Sequence, residues 1–153
     1  MNVSIDNGLG NAAASEAMRH AMVASQLRTN AVNDQRVLVA MNTLPREAFV
    51  PKGREPFAYI DQTLNLGEAD GETRCMPAPM VVARMIQALR VRPGVAALDV
   101  APGYGYAAAI LAPLGAQVTA LESVPDLAAA ARTRLGASMT FSSTVMCGNR
   151  LKL

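Results

Sequence analysis

The chain has 153 residues, a length suited to a single domain. Half of it is hydrophobic (51%), 17% is charged, and the mean hydropathy is +0.18, which excludes an intrinsically disordered chain. The net charge of +2 is too mild for the basic footprint of a nucleic-acid-binding protein, and no apolar run reaches the length of a membrane span.

With no Trp and few aromatics, Ala, Val, Leu and nine Met must fill the core. Cys75 and Cys147 are too few and too far apart for a disulfide framework or a metal cluster, so no metal site is expected. A thiol-reducing, cytoplasmic setting is expected. The first twenty residues carry neither a basic n-region nor an apolar h-region, so no signal peptide is expected.

Residues 1–14 are small, polar and Gly/Asn/Ala-rich, and read as a mobile tail. From Ser15 the pattern is helical, with Met18, Ala21, Met22 and Ser25 on one stripe. After a turn at 28–30, Asn33 reads as an N-cap with Asp34 in the first turn. Val37, Leu38, Met41 and Leu44 form the apolar face of that second helix, and Pro45 ends it.

Residues 45–79 hold five of the nine prolines and no lasting period. Phe49, Val50, Phe57, Tyr59 and Ile60 call for burial, and 67–73 is a polar turn, so the stretch is expected to be an ordered lid or binding loop. A helix follows from Pro79, with Val82, Met85, Ile86 and Leu89 on its apolar face. Val95 to Val100 is a short apolar run, expected to be a buried strand. A Gly-rich turn, a helix to Pro113, a strand at 117–122 and a helix from Pro125 to Gly136 come next, with a further strand near 139–145. Strand, Gly turn, helix, strand, helix is the sign of a parallel α/β sheet. The organisation read from this is a tail at 1–14, a helical and lid region at 15–78, and a partial Rossmann-like domain at 79–153.

The informative constellation is Asp99 to Gly105, with Glu122 closing the next strand. A Gly turn between strand and helix admits close approach of a ligand to backbone. An acid at the tip of the adjacent strand can accept both hydroxyls of a ribose. The third glycine of the dinucleotide fingerprint is replaced by Ala108. Asp99 before the turn disfavours a pyrophosphate and favours a cationic or neutral ligand, chemistry that matches S-adenosylmethionine, with an ammonium, a sulfonium and no phosphate.

VLVAMNTLPREAFVP (37–51), AYIDQTLNLG (58–67), PMVVARMIQAL (79–89) and ALDVAPGYGYAAAILAPLGAQVTALE (97–122) resemble protein-L-isoaspartate O-methyltransferase, over about residues 22–135. The PREAFVP and AYIDQTLNLG segments are the specific part, since the Gly loop alone indicates only a class I methyltransferase. The resemblance implies transfer of a methyl group from S-adenosylmethionine to the α-carboxylate of isoaspartyl residues in damaged proteins, whose ester closes to a succinimide that opens to aspartate. It implies that Asp99, Ala101, Gly103 and Gly105 line the methionine part of the cofactor and that Glu122 holds the ribose. Asp61, which follows Tyr59 in the lid-like stretch, is a candidate to orient the substrate. A carboxylate is already ionised at neutral pH and needs no general base, so positioning carries the catalysis.

Three features depart from the family pattern. Ala101 stands where the loop opens with Gly. Pro77 stands where a Ser-x-Pro segment carries a hydroxyl at the substrate site, so no catalytic group is assigned there. After Leu135 the likeness fades, with no acid beyond Asp126 for the adenine side, as in a C-terminally truncated or shortened relative. An incomplete sheet leaves an edge of the strand at 95–100 open, and self-association there is expected.

A non-catalytic cofactor- or partner-binding relative is the main alternative, and a nicotinamide-dependent oxidoreductase is disfavoured by the imperfect fingerprint. His20, Arg28, Arg36 and Arg46 are expected at the surface, and Arg132, Arg134, Arg150 and Lys152 as a solubilising basic end. Tyr104 and Tyr106 pack either over the cofactor or on the next helix.

Overall fold

The computed structural model describes residues 7–69, 72–138 and 143–147. It is an α/β fold of ten main elements: α1 (Asn7–Met22), α2 (Gln35–Thr43), β1 (Leu64–Ala69), β2 (Glu72–Met76), α3 (Pro79–Ala88), β3 (Ala96–Val100), α4 (Tyr106–Leu111), β4 (Gln117–Glu122), α5 (Pro125–Ser138) and β5 (Ser143–Cys147). A three-stranded parallel sheet runs in the order β3-β4-β5, and β1 and β2 form a separate antiparallel hairpin. The parallel ladders follow from the two helical crossovers, α4 and α5, since parallel neighbours cannot be joined by a tight turn.

α1 begins at Asn7, so residues 7–14 are helical rather than part of a tail, while residues 1–6 lie outside the described residues. α2 is capped by Asp34, whose carboxylate accepts the Arg36 backbone N–H, and not by Asn33. Asn33 and Asp34 instead donate their backbone N–H groups to the Gln87 side-chain carbonyl oxygen at 2.6 and 2.8 Å, tying the start of α2 to α3. Pro79 opens α3 at a position where no N–H is needed. The stretch expected to be irregular contains the β1–β2 hairpin, with a bulge between Asn65 and Gly67, where the Gly67 N–H donates to the Asn65 side chain at 2.6 Å.

The core joins α1, α2, α3, α4 and α5 through Met22, Met41, Ala83, Ile110 and Leu135, with Leu27 and Phe49 added from the connecting segments, all essentially inaccessible to water. β3 departs from expectation. Leu98 and Val100 are 63% and 65% exposed, and Met85 and Leu89 of α3 are 62% and 63% exposed. Val81 and Val95 are also partly exposed, and an open cleft of about 520 Å³ is lined by Leu89, Val95, Leu98 and Leu111 together with Arg90 and Arg92. The exposure alternates along β3, so that Ala96, Leu98 and Val100 share the uncovered face of the strand; separately, β4 takes one edge of β3, and no strand among the described residues takes the other.

Candidate functional site

The Gly loop leaves β3 after Asp99 and Val100. The Ala101 N–H donates to the Leu121 carbonyl at 2.8 Å, carrying the β3–β4 ladder one residue further. The chain then turns through three left-handed residues, Ala101 (φ +56), Gly103 (φ +58) and Gly105 (φ +92), closed by a Gly105 N–H to Pro102 carbonyl bond of 2.9 Å. Gly103 is favoured as glycine by its left-handed conformation and lies close under the hairpin: an added Cβ would stand 2.7 Å from Leu66 Cδ1 of β1, so the leucine side chain would have to shift. Ala101 adopts the same region with a methyl group in place, which is strained.

Glu122 is wholly buried. One carboxylate oxygen accepts the Gly103 N–H at 3.0 Å and the other the Val124 N–H at 3.1 Å. The acid therefore fastens the Gly loop to the end of β4, with one further lone pair free on each oxygen. The β1–β2 hairpin covers this point: Leu66 rests on Gly103, and Arg74 Nη2 of β2 donates to the Ser123 hydroxyl at 3.1 Å.

Asp99 has a buried carboxylate oxygen, Oδ2, with no partner. Burial pushes its pKa up to about 6, against a hydrogen bond from the Ala108 backbone and helped by the charge of Glu122. A buried acid with an open acceptor beside a Gly turn is matched by a ligand that brings a cation or N–H donors.

Arg46, expected in solvent, is fully buried. Its Nε donates to the Ala58 carbonyl and its Nη2 to the Pro77 carbonyl, both at 2.7 Å. Its guanidinium lies 4.7 Å from the centroid of the Tyr106 ring, which itself meets Phe49 at 5.4 Å. The physical reason is that two backbone carbonyls and an aromatic face replace water around the cation. Arg134, expected on a solubilising end, is half-buried: it donates to the Ala48 carbonyl at 2.6 Å and stacks 4.1 Å over Tyr104. Both tyrosines thus pack within the protein under arginines.

The structure brings Asp99, Ala101, Gly103, Gly105 and Glu122 to one place, as their spacing suggested. Asp61 and Pro77 are both exposed, and Arg46 links them: its Nη2 holds Pro77, and it feels the charge of Asp61. His20 is exposed beside Glu16, 3.9 Å away, and apart from the site. Sequence reading missed Arg46, Leu66 and the second use of Glu122. For Arg46 a signal existed: its neighbours Leu44, Phe49 and Val50 are apolar and the segment calls for burial.

Against known proteins, the family model "Protein-L-isoaspartate(D-aspartate) O-methyltransferase (PCMT)" matches residues 17–150. A protein-L-isoaspartate O-methyltransferase of Methanoculleus marisnigri is 40% identical over 86% of this chain and 58% of its own length. One of Methylorubrum extorquens is 47% identical over 78% of this chain and 50% of its own. The chain thus spans about half the length of these curated relatives. A solved protein-L-isoaspartate O-methyltransferase matches 88% of this chain and 42% of its own, with a TM-score of 0.72 at 19% identity. A putative one from Plasmodium falciparum, solved with S-adenosyl-L-homocysteine, matches 84% of this chain and 62% of its own, with a TM-score of 0.60 at 22% identity.

Proposed function

The chain belongs to the protein-L-isoaspartate O-methyltransferase family, and from that premise we propose that it acts in S-adenosylmethionine-dependent methylation of the α-carboxylate of L-isoaspartyl residues in damaged proteins. The observation that carries the reading is the Asp99–Gly105 turn fastened to Glu122, within a chain 40–47% identical to relatives bearing that name. Asp99, Ala101, Gly103, Gly105 and Glu122 would hold the cofactor. The open Oδ2 of Asp99 fits its ammonium, and the free lone pairs of Glu122 fit ribose hydroxyls once the hairpin at Leu66 moves aside. The cofactor supplies an electrophilic methyl group. Asp61 and Pro77 would border the substrate carboxylate, which is ionised at neutral pH and needs no base; the chain's task is to align it.

Two further features support the partners in this reading. The net charge of +2 suits a protein substrate better than a nucleic acid. Among the described residues no helix is long and apolar enough to cross a membrane, which together with the two separated cysteines supports a cytoplasmic setting. The edge of β3 that no strand among the described residues takes supports self-association.

The strained Ala101 and the covered Glu122 favour a second reading, a cofactor- or partner-binding relative that does not transfer methyl groups. Calorimetric titration with S-adenosylhomocysteine, followed by a radiolabelled methyl-transfer assay on an isoaspartyl peptide, separates the two. Binding with transfer supports the first reading and binding without transfer the second. Failure of the chain to bind S-adenosylhomocysteine would overturn the first reading and the cofactor-binding form of the second.

A further inference from the structure

A buried arginine is costly unless something in the fold needs it. Arg46 has no carboxylate within 4.0 Å among the described residues, and its Nη1 is buried without a hydrogen-bond partner. What it does have is three contacts to three separate segments. Nε takes the carbonyl of Ala58, at the head of the segment that carries Asp61. Nη2 takes the carbonyl of Pro77. The guanidinium face takes Tyr106, the first residue of the helix that follows the Gly loop.

These contacts fix the two substrate-side segments against the cofactor-side helix through one planar group. Proline at 77 has neither an N–H nor a hydroxyl, so its carbonyl is its only polar handle, and that handle is turned inward to Arg46. A planar fork can hold two carbonyls at set angles, which a point charge on a flexible stem cannot.

We propose that Arg46 is the positioning residue for the isoaspartyl substrate: it sets where the segment around Pro77 stands relative to the Gly loop, and it does so without touching either ligand. The proposal rests on the methyl-transfer reading above. Displacing a reacting group by about 1 Å costs roughly a hundredfold in rate, so loosening this clamp should harm substrate alignment and spare the cofactor. The hydrogen bonds that hold Ala101, Gly103, Gly105 and Glu122 do not involve Arg46, which meets this half of the protein only at the Tyr106 ring among the described contacts.

The test uses the full chain. Titrations measure S-adenosylhomocysteine binding, then binding of an isoaspartyl hexapeptide to the complex, for the parent, Arg46→Lys and Arg46→Ala. Arg46→Lys is expected to leave the cofactor affinity within about twofold and to weaken peptide binding about tenfold or more. In Arg46→Ala, millimolar methylguanidinium should restore peptide binding and methylammonium should not, because only the former supplies the fork. Equal loss of cofactor and peptide affinity in Arg46→Lys, or rescue by methylammonium, would overturn the proposal.

If the Arg46 variants do not fold, Pro77→Gly probes the same clamp from its exposed end, keeping the carbonyl and removing the stiffness. Peptide affinity should fall about threefold or more with cofactor affinity unchanged, and unchanged peptide affinity would overturn the proposal. A parent that binds no S-adenosylhomocysteine would instead remove the functional reading itself, and one that binds cofactor but no isoaspartyl peptide would remove the substrate assigned to it and this proposal together.

Discussion

The two sides of β3 follow different rules. Towards β4 and α4 the strand ends in a loop held by short polar bonds: Ala101 to Leu121, Gly105 to Pro102, Gly103 to the Glu122 carboxylate. Away from them, Leu98 and Val100 present an apolar face that no described element covers, and Leu89 of α3 borders it across an open cleft. The first side is specified by hydrogen bonds that accept one geometry. The second is specified only by water avoidance, which is non-directional and can be met by any apolar partner. The loop is thus set in its polar detail on a strand whose other flank no described element covers.

The largest expected contrast sets one buried residue against one on the open face. Ile110→Ala, on the fully buried side of α4, should cost about 3 kcal/mol in urea unfolding. Leu98→Ala should cost no more than about 0.5 kcal/mol. Equal costs would show that the open face is covered in solution, and light scattering would then find the chain associated.

Next comes the fastening of the loop. Glu122→Ala strands the Gly103 and Val124 N–H groups in a buried place and should cost about 2 kcal/mol. Glu122→Gln, which keeps one acceptor oxygen, should cost roughly half of that. A melting temperature insensitive to both changes would mean that the loop is held by its turns alone.

A smaller effect depends on pH. The ordinary carboxyl value of 3.8 rises to about 6 for Asp99 in the folded protein. A raised folded value favours the neutral carboxyl, so its stabilising contribution is complete below about pH 4 and is lost as pH climbs through about 6. Asp99→Asn, neutral throughout, should match the parent in acid and melt higher at pH 7. Parallel melting curves for the two proteins across that range would show that Asp99 titrates as an exposed acid. The smallest change is Ala101→Gly, which removes left-handed strain and should stabilise by about 0.5 kcal/mol, less than the full strain because glycine loses more chain entropy on folding. A loss of stability would place the strain elsewhere.

Much of the sheet was legible in the sequence. β4 occupies 117–122 as read, because an apolar alternation there is bounded by Gly115 and Ser123. The starts of α3 and α5 are marked by prolines in positions where a missing N–H does no harm. The β1–β2 hairpin was not legible, since the bulge at Asn65–Gly67 breaks the two-residue period on which strand reading depends. The spacing of Gly103 and Glu122 correctly brought them together. Spacing alone could not separate an acid that awaits a ribose from one that already ties down the loop, because both need a carboxylate at the same strand tip. Arg46 was misread because charged side chains stay in water by default, and only tertiary contacts from residues 58, 77 and 106 reverse that default.

The stacked arginines have an optical consequence. The chain contains no Trp and three Tyr, at 59, 104 and 106. Tyr59 receives a hydrogen bond from Arg19 and donates one to Glu47, Tyr104 lies under Arg134, and Tyr106 lies under Arg46. Every tyrosine, the dominant emitter in a chain without Trp, therefore sits against a cation in the region between the 46–59 segment and the Gly loop. The protein's intrinsic emission is a label placed by the fold itself: it reports on the neighbourhood of the candidate site and is blind to the open apolar face on the other side of β3.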